Sequence, residues 1–410
     1  MRIVLSFILL AVPAAALAAP PPGTSCSVLP PDNVWNTDIS NLPVNARSAI
    51  WLSAMGSATA HLHPDFGGPF GIPYAVVAGS HSKVRVSFDF ADESDPGPYP
   101  FGTDIPVEDG GDAHALMIDK DTCTLYELFG ADWNGGAPAA GSGAVFSLGS
   151  NALRPDGWTS ADAAGLPIFP GLVRWDEVQA GAIHHAIRVT ARRTDRSHLW
   201  PARHDAGAAS DPTLPPMGAR FRLKASFAIS GFSAQAQVVL RAMQRYGLIV
   251  ADNGSNWFFQ GATDAAWPDS FISELKTIPA SAFEAVDESS LQVSADSGQA
   301  RQPGAVAQVS PTSISYAWTQ IGSVTQGKFV TVTNGGTANL VVASVALGGT
   351  NPGDFRITKN SCTTVAPGAR CQITVVFAPT ATKTRTAVLK VSDDASGSPQ
   401  SVTLLGTAHL

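Results

Sequence analysis

GAIHHAIRVTARRTDRSHLWPARH, residues 181–204, is the stretch from which we interpret the fold and the candidate site of this chain. Its first half alternates as a β-strand does, and one face of that strand would carry Ile183, His185, Ile187 and Val189. His185 therefore lies in an apolar row. A titratable ring on an apolar face is either hydrogen-bonded inside the protein or used in chemistry, so this stretch predicts a site.

Composition favours a β protein of two folded units. Charged residues make up 14% of the 410 residues, and the chain contains 38 Gly and 30 Pro. Low charge with much Gly and Pro is typical of turn-rich β folds, and the length exceeds one ordinary core. The net charge of −7 argues against nucleic acid as the main partner, because phosphate binding needs a basic face. We expect a monomer.

The first residues predict export. A basic start at Arg2 and an apolar run over residues 3–12 precede the small-x-small pattern Ala16-Leu17-Ala18. Residues 1–18 are therefore predicted to be a secretory signal peptide, too short to be a membrane anchor. Because no later segment approaches the length of a spanning helix, we expect no membrane span and a soluble secreted protein, either extracellular or periplasmic.

The cysteines agree with an oxidising compartment. They are Cys26, Cys123, Cys362 and Cys371. Four cysteines allow three pairings, and position along the chain favours Cys26–Cys123 and Cys362–Cys371, one bridge in each domain. Their spacing matches no zinc motif.

The fold class predicted is mainly β, with a large β-sandwich or jelly-roll-like domain with one or two helices, followed by an immunoglobulin-like β-sandwich. The large domain spans residues 19–287, a polar linker spans 288–305, and the accessory domain spans 306–410. One helix window covers residues 46–55. A second helix has Ser233 as N-cap and stops at Gly247.

Two further segments of the large domain show strand patterns. Residues 84–90 alternate as a strand covered on one face. Residues 112–119 and 123–129 predict a hairpin that turns at Lys120-Asp121. A two-residue turn would place His114 opposite Glu127.

The C-terminal unit shows strands at regular spacing and no helix pattern. Four of them are predicted over residues 328–334, 340–347, 372–377 and 387–391. The unit also contains Asn334-Gly335-Gly336, Asp354-Phe355, Ala366-Pro367-Gly368, residues 375–379 and Leu405-Gly406-Thr407, beside its two cysteines.

These residues resemble bacterial choice-of-anchor D domains, which are related to the ASPM/SPD-2/Hydin immunoglobulin-like group. The resemblance covers roughly the last quarter of the chain. It implies an accessory module for cell-surface or carbohydrate association, or a spacer, without catalytic residues. The large domain resembles an uncharacterised family of secreted bacterial proteins through residues 199–204, 215–218 and 250–255, and this likeness implies no activity.

Two histidines are our candidates for acid–base catalysis. His114 and His185 both lie on apolar faces of predicted strands, and Glu127 would orient His114. An imidazole with a carboxylate is a workable acid–base pair near neutral pH. The alternative is that both rings are hydrogen-bonded core histidines.

An acidic segment offers other roles. It contains Asp92, Glu93 and Asp95, and is followed by Glu108, Asp109 and Asp112. Two carboxylates at a fixed separation serve glycoside hydrolysis, and several together could hold a structural Ca²⁺ through oxygen ligands. The alternative is a solvated acidic loop. No cofactor is otherwise predicted.

The end of the opening stretch predicts substrate binding. Arg203 could clamp a uronate carboxylate and Trp200 could stack on a sugar, and we add His204 and Arg188 to this set. The alternative is a core tryptophan beside exposed arginines. A metal site formed by His114, His185 and His204 has no support from local spacing.

Together these patterns predict a secreted carbohydrate-active protein. No Gly-x-Ser-x-Gly, P-loop, dinucleotide or His-Glu-x-x-His motif is present in the sequence. The first hypothesis is a polysaccharide-degrading enzyme, a glycoside hydrolase or lyase, whose partner is a polysaccharide or cell-surface glycan. The alternative is a non-catalytic extracellular glycan-binding or adhesion protein.

Overall fold

The computed structural model describes residues 18–410, which form two compact units. One unit ends at Ala300 and the other begins at Arg301. The predicted signal peptide falls almost wholly outside the described residues. The prediction of a mainly β fold is confirmed in both units.

Fourteen described strands belong to the large unit. They are β1 His63–Asp65, β2 Tyr74–Val77, β3 Ser87–Phe88, β4 Ala115–Asp119, β5 Thr124–Phe129, β6 Ala139–Ala140, β7 Ser142–Ser147, β8 Ile187–Ala191, β9 Arg220–Leu223, β10 Leu248–Asn253, β11 Phe258–Gln260, β12 Phe283–Ala285, β13 Gln292–Ser294 and β14 Ser297–Ala300. The main sheet has the order β1-β11-β8-β10-β9-β12, and a second sheet has the order β2-β4-β5-β7. Strands β8 and β10 pair in parallel, as do β2 and β4, so both sheets are mixed.

Four α-helices are described, all in the large unit. They are α1 Ser48–Ala54, α2 Trp175–Ala180, α3 Ala234–Arg245 and α4 Asp269–Leu275. The prediction for α3 is confirmed in detail: the Ser233 side chain accepts from Ala236 N, and Gly247 has φ +73° after the last turn. Its buried stripe packs against β9, because apolar residues recur at helical spacing on that face.

The C-terminal unit is a β-sandwich. Its strands are β15 Ala307–Ser310, β16 Ser313–Ser315, β17 Thr319–Gln320, β18 Lys328–Asn334, β19 Leu340–Gly348, β20 Phe355–Asn360, β21 Thr364–Val365, β22 Arg370–Phe377, β23 Lys383–Asp393 and β24 Gln400–His409. One sheet has the order β15-β18-β22-β20 and the other β16-β24-β23-β19-β21, with β17 also on β24. Between them lie Val330, Phe377 and Leu389, all fully buried.

Both predicted disulfides are confirmed. Cys26 pairs with Cys123 in the large unit, and Cys362 pairs with Cys371 in the small one. Two disulfides indicate an oxidising environment such as the extracellular space. Across residues 18–410, the structure contains no helix that is long and apolar enough to cross a membrane.

The hairpin register differs from the prediction. Asp119 pairs with Thr124, so four residues form the turn, and Leu116 rather than His114 lies opposite Glu127. The cause is the Asp119 carboxylate, which accepts from the backbone N–H groups of Asp121 and Thr122 and stabilises a longer turn.

Three other boundaries also differ. Strand β8 begins at Ile187, so Ile183 and His185 lie before it, after Gly181 ends α2 with φ +90°. Of residues 84–90, only β3 is a strand, although Val84 forms an isolated bridge with Tyr99. Part of the predicted linker, residues 288–300, belongs to the large unit and contains the hairpin β13–β14.

Candidate functional site

The large unit has a cleft where the ends of strands from its two main sheets approach each other. Its volume is about 210 Å³. Phe90, Glu93, Phe129, Ser142, Thr159, Ser160, Ala161, Asp162, Ala163, His204 and Asp252 line it. Phe129 and Ser142 end β5 and begin β7, whereas Asp252 is near the end of β10. Aromatic walls with three carboxylates and one imidazole make this cleft our candidate active site.

A buried ion pair forms the base of the cleft. Arg188, on β8, is 2% exposed, and its guanidinium donates to both carboxylate oxygens of Asp162, at 3.0 and 2.7 Å. The same guanidinium reaches Asp252 Oδ2 at 3.4 Å. Because Arg188 is buried and pairs with both carboxylates, it holds them in place and is not accessible to a substrate. Arg188 was predicted to bind substrate, but it is buried beneath the cleft and does not line it.

Asp252 lines the cleft at an irregularity in the pairing of its strand. The register between β8 and β10 shifts between Val250 and Asp252, and such a bulge turns a side chain away from the regular strand direction. Burial, together with the neighbouring charge of Asp162, raises the pKa of the Asp252 carboxyl to about 7, although Arg188 opposes this. The side chain is still 20% exposed, so it can meet a ligand in the cleft. A carboxyl with these properties can donate a proton near neutral pH.

Glu93 and His204 are two neighbouring lining residues of the cleft. His204 Nε2 lies 3.7 Å from Glu93 Oε2, and the two side chains are 28% and 30% exposed. Thr159 N donates to the same Glu93 oxygen at 3.0 Å, whereas His204 Nδ1 lies 2.8 Å from the carbonyl oxygen of Ala163. His204, predicted as a binding residue, does line the cleft. The carboxyl group beside it is that of Glu93, which could take up a proton.

His114 lies behind the cleft and is 2% exposed. Its Nδ1 contacts Glu108 Oε2, and its Nε2 lies 3.1 Å from the carbonyl oxygen of Ala161, a lining residue. Burial lowers the pKa of His114, but the Glu108 carboxylate outweighs burial and raises the pKa above its ordinary value. His114 therefore supports the loop at Ala161 and does not itself face the cleft.

Glu127 does not orient His114, contrary to the prediction. Its carboxylate is fully buried and accepts from Ile168 N at 2.9 Å and Phe169 N at 2.9 Å. Burial raises the pKa of Glu127 to about 7, although these two backbone donors oppose the shift. Its role in the structure is to hold the chain after the loop that carries Asp162.

His185 is enclosed in the core and shares no hollow with His114. The ring is fully buried, its Nδ1 lies 2.7 Å from the carbonyl oxygen of Ala186, and its Nε2 lies 3.1 Å from Glu177 Oε2. Burial raises the pKa of Glu177, but the charges of His185 and Arg174 reverse this and lower it. With both ring nitrogens engaged and no solvent access, His185 cannot reach a substrate in this structure.

Arg203 and Trp200 are also structural. Arg203 is 4% exposed and donates to the carbonyl oxygens of Arg154 and Ala295 and to the Asp296 carboxylate. The indole of Trp200 donates to Ser297 O at 2.8 Å. Both side chains thus attach the hairpin β13–β14 to the large unit, and neither lines the cleft.

The acidic segment is divided among separate partners. Asp95 pairs with Arg154 and accepts from Val145 N, while Glu108 contacts His114. Only Glu93 reaches the cleft. Among residues 18–410, no group of three or more His, Cys, Asp or Glu side chains converges as a metal site would require. The structure therefore gives no support to the Ca²⁺ site predicted at this segment.

Sequence reasoning missed Asp162 and Asp252. Asp162 lies within a long irregular connection, and Asp252 is the next-to-last residue of a mostly apolar strand. An acid at the end of a strand that pairs in parallel was the signal available for Asp252, since ligand sites form at the carboxyl ends of such strands. Nothing local links Asp162 to Arg188, which lies 26 residues away.

The loop that carries Asp162 depends on Gly165, which gives a testable prediction. Gly165 has φ +70°, and a Cβ there would lie 2.4 Å from the carbonyl oxygen of Trp158. We expect Gly165→Ala to lower the free energy of unfolding of the large unit by about 2–3 kcal/mol, from left-handed backbone strain plus the clash. Urea unfolding followed by tryptophan fluorescence measures this.

Gly157→Ala is the matched control for Gly165→Ala. Gly157 has φ +83° but no atom within 4 Å of the added Cβ, so only the backbone strain of about 1–2 kcal/mol applies. Equal losses in the two variants would contradict the steric argument for Gly165.

Solved structures with local similarity to this chain match about a quarter of it. A protein of unknown function from Porphyromonas gingivalis W83 has 17% identity and a TM-score of 0.22, over 26% of this chain and 48% of the other. The VesB protease of Vibrio cholerae has 15% identity and a TM-score of 0.21, over 25% and 32%. A PapD-like domain of human CEP192 has 13% identity and a TM-score of 0.19, over 25% and 84%. The match to the first two spans less than half of their own length.

No curated protein matches the chain. The family model described as "Abnormal spindle-like microcephaly-assoc'd, ASPM-SPD-2-Hydin" matches residues 305–401. This is the group predicted from the Gly, Pro and Cys pattern of the C-terminal unit, whose sandwich has the same immunoglobulin-like class. The resemblance proposed for the large domain stays a prediction. The C-terminal unit of this chain is thus an ASPM-SPD-2-Hydin domain.

Proposed function

We propose that the large unit is a polysaccharide-degrading hydrolase whose active site is the cleft between Glu93, Asp162 and Asp252. The observation that carries the proposal is the pair of unlike carboxyl groups in one aromatic-walled cleft. Asp252 has its pKa raised to about 7, and Glu93 is a partly exposed carboxylate beside His204. Hydrolysis of a glycosidic bond needs one carboxylic acid and one carboxylate that differ in this way.

Asp252 is proposed as the general acid. In its protonated form Asp252 would donate its proton to the leaving-group oxygen of the scissile bond. Arg188, at the base of the cleft, would hold the Asp252 carboxyl in position. Glu93 would take the proton of the attacking water, with Thr159 N and His204 holding the carboxylate. We favour hydrolysis over β-elimination because, among residues 18–410, no Lys or Arg lines the cleft to neutralise a uronate there.

Replacing Asp252 is the direct test. We expect Asp252→Asn to lower kcat/KM at least about 100-fold, the usual contribution of a general acid. In the wild type, kcat/KM should fall as the pH rises above about 7, because the raised pKa of Asp252 means that its proton is lost there. The measurement is a reducing-sugar assay on plant and microbial polysaccharides, run beside absorbance at 235 nm to detect unsaturated products of elimination.

Asp269→Asn is the control, since Asp269 is exposed in the first turn of α4 and does not line the cleft. A rise in absorbance at 235 nm would show that the reaction is elimination rather than hydrolysis. Full activity in Asp252→Asn would remove Asp252 from the mechanism. Binding of a polysaccharide without any turnover would favour the alternative, a non-catalytic glycan-binding protein.

A further inference from the structure

A second cavity of the large unit lies apart from the cleft and shares no lining residue with it. It is an open groove of about 540 Å³ at α3, next to the end of α2, and this size suits a small organic ligand. Its floor is apolar and includes Leu223, Val238 and Ala242, which are almost fully buried. Its rim is polar and carries three arginines, Arg222, Arg241 and Arg245.

The arginines differ in how far their charge is already balanced. Arg222 pairs with Glu284 at 2.7 Å, and Arg245 pairs with Asp38 at 2.8 Å. Arg241 is exposed, and within residues 18–410 no carboxylate forms an ion pair with it. Its only hydrogen bond described is from Nη1 to Gln237 Oε1, at 3.1 Å. A guanidinium with donors to spare beside an apolar floor is suited to bidentate binding of a carboxylate.

The other rim groups indicate a ligand that also carries hydroxyl groups. Asp38 and Glu284 are 33% and 20% exposed, and each can accept a hydrogen bond from a hydroxyl group. Ser40 and Gln244 add further donors and acceptors at the rim. A sugar could add hydroxyl donors to the exposed carboxylate oxygens of Asp38 and Glu284 and place its C–H face on the apolar floor.

We propose that this groove binds a uronate sugar of an anionic polysaccharide, with the Arg241 guanidinium on its carboxylate. The chain as a whole is acidic, with a net charge of −7, so a groove with three arginines and two carboxylates is a local exception that attracts an anion. The proposal names the substrate class of the hydrolase proposed above and rests on that function for the choice of a polysaccharide. The groove, not the cleft, supplies the cation that Arg203 was predicted to supply.

The test is calorimetric titration of the full protein, carrying Asp252→Asn, with a trimer of galacturonate and with the neutral trimer of galactose. We expect the galacturonate trimer to bind and its affinity to fall with added salt, while the neutral trimer binds at least about tenfold more weakly. Arg241→Gln should weaken galacturonate binding at least about tenfold, because charged hydrogen bonds are lost.

Arg193→Gln is the matched control, since Arg193 is also exposed but does not line the groove. A loss confined to Arg241→Gln supports the proposal. Equal affinity for the two trimers, no binding at millimolar concentration, or an unchanged affinity in Arg241→Gln would overturn it. Turnover is assayed separately with Asp252 intact. Loss of galacturonate binding would therefore count against the groove, and absence of turnover would count against the cleft, as two distinguishable results.

Discussion

Arg188→Met is expected to lower the free energy of unfolding of the large unit by about 3–5 kcal/mol, the usual cost of removing one partner of a buried ion pair. Arg188 is 2% exposed and Asp162 is fully buried, so neither charge has water to replace the lost partner. The guanidinium also lies 3.4 Å from Asp252, whose carboxyl would lose its only described ion pair. The variant therefore leaves two carboxyl groups facing each other without a cation between them.

The measurement is urea unfolding followed by tryptophan fluorescence, since eight of the nine tryptophans precede residue 301 and report on the large unit. Arg192→Gln is the control, because Arg192 lies only four positions further along the chain and is exposed. We expect its free energy of unfolding to change by no more than about 0.5 kcal/mol. Asp162→Asn and the double variant complete a cycle. If the cost comes from the uncompensated charge, the double variant should be more stable than the sum of the two single losses predicts.

A loss below about 1 kcal/mol in Arg188→Met would contradict a buried ion pair, because that is the usual contribution of an exposed pair.

The same variant also tests the environment of Asp252 in the cleft. Without Arg188, the pKa of Asp252 should rise further, because the neighbouring cation that lowers it is gone. The decline of kcat/KM with pH, where activity remains, should then move to higher pH.

Local patterns in the sequence predicted the elements whose determinants are themselves local. The helix α3 follows from a Ser N-cap, an apolar stripe at helical spacing and a Gly stop, all within residues 233–247. The strand β18 follows from alternation over residues 328–334. The two disulfides follow from chain position once the unit boundary is placed.

The candidate site could not be predicted in the same way, because its contacts join distant segments. Asp162 and Asp252 lie 26 and 64 residues from Arg188, and no spacing rule connects them. His185 looked catalytic because the sequence pattern puts it in an apolar row, yet it precedes β8 and lies in the core beside Glu177, on a helix that the sequence analysis did not predict. His204 does line the cleft, but Glu93, which lies beside it, comes from a segment more than a hundred residues earlier.

Removal of the Cys26–Cys123 disulfide, by Cys26→Ala with Cys123→Ala, is expected to be the other large loss. The two cysteines are 97 residues apart, and closing so long a loop restricts the unfolded chain by about 4–5 kcal/mol in the chain-entropy model. The Cys362–Cys371 disulfide closes only 9 residues, for which the same relation gives about 2–3 kcal/mol. Removing the first disulfide should therefore lower the free energy of unfolding of the large unit by more than removing the second lowers that of the small unit.

This difference can be measured because each disulfide lies within one compact unit. Each double variant is unfolded in urea, with tryptophan fluorescence reporting mainly on the large unit and Trp318 alone lying in the small one. The first disulfide also joins the N-terminal segment to the turn before β5, which carries Glu127 and ends at Phe129 in the cleft wall. Removing the first disulfide should thus affect the cleft as well as the stability of the large unit. We expect kcat/KM of the Cys26/Cys123 variant to fall at urea concentrations at which the Cys362/Cys371 variant retains its kcat/KM. A larger stability loss for the short-loop disulfide would mean that native contacts at the cysteines, rather than the restriction of the unfolded chain, decide what each disulfide contributes.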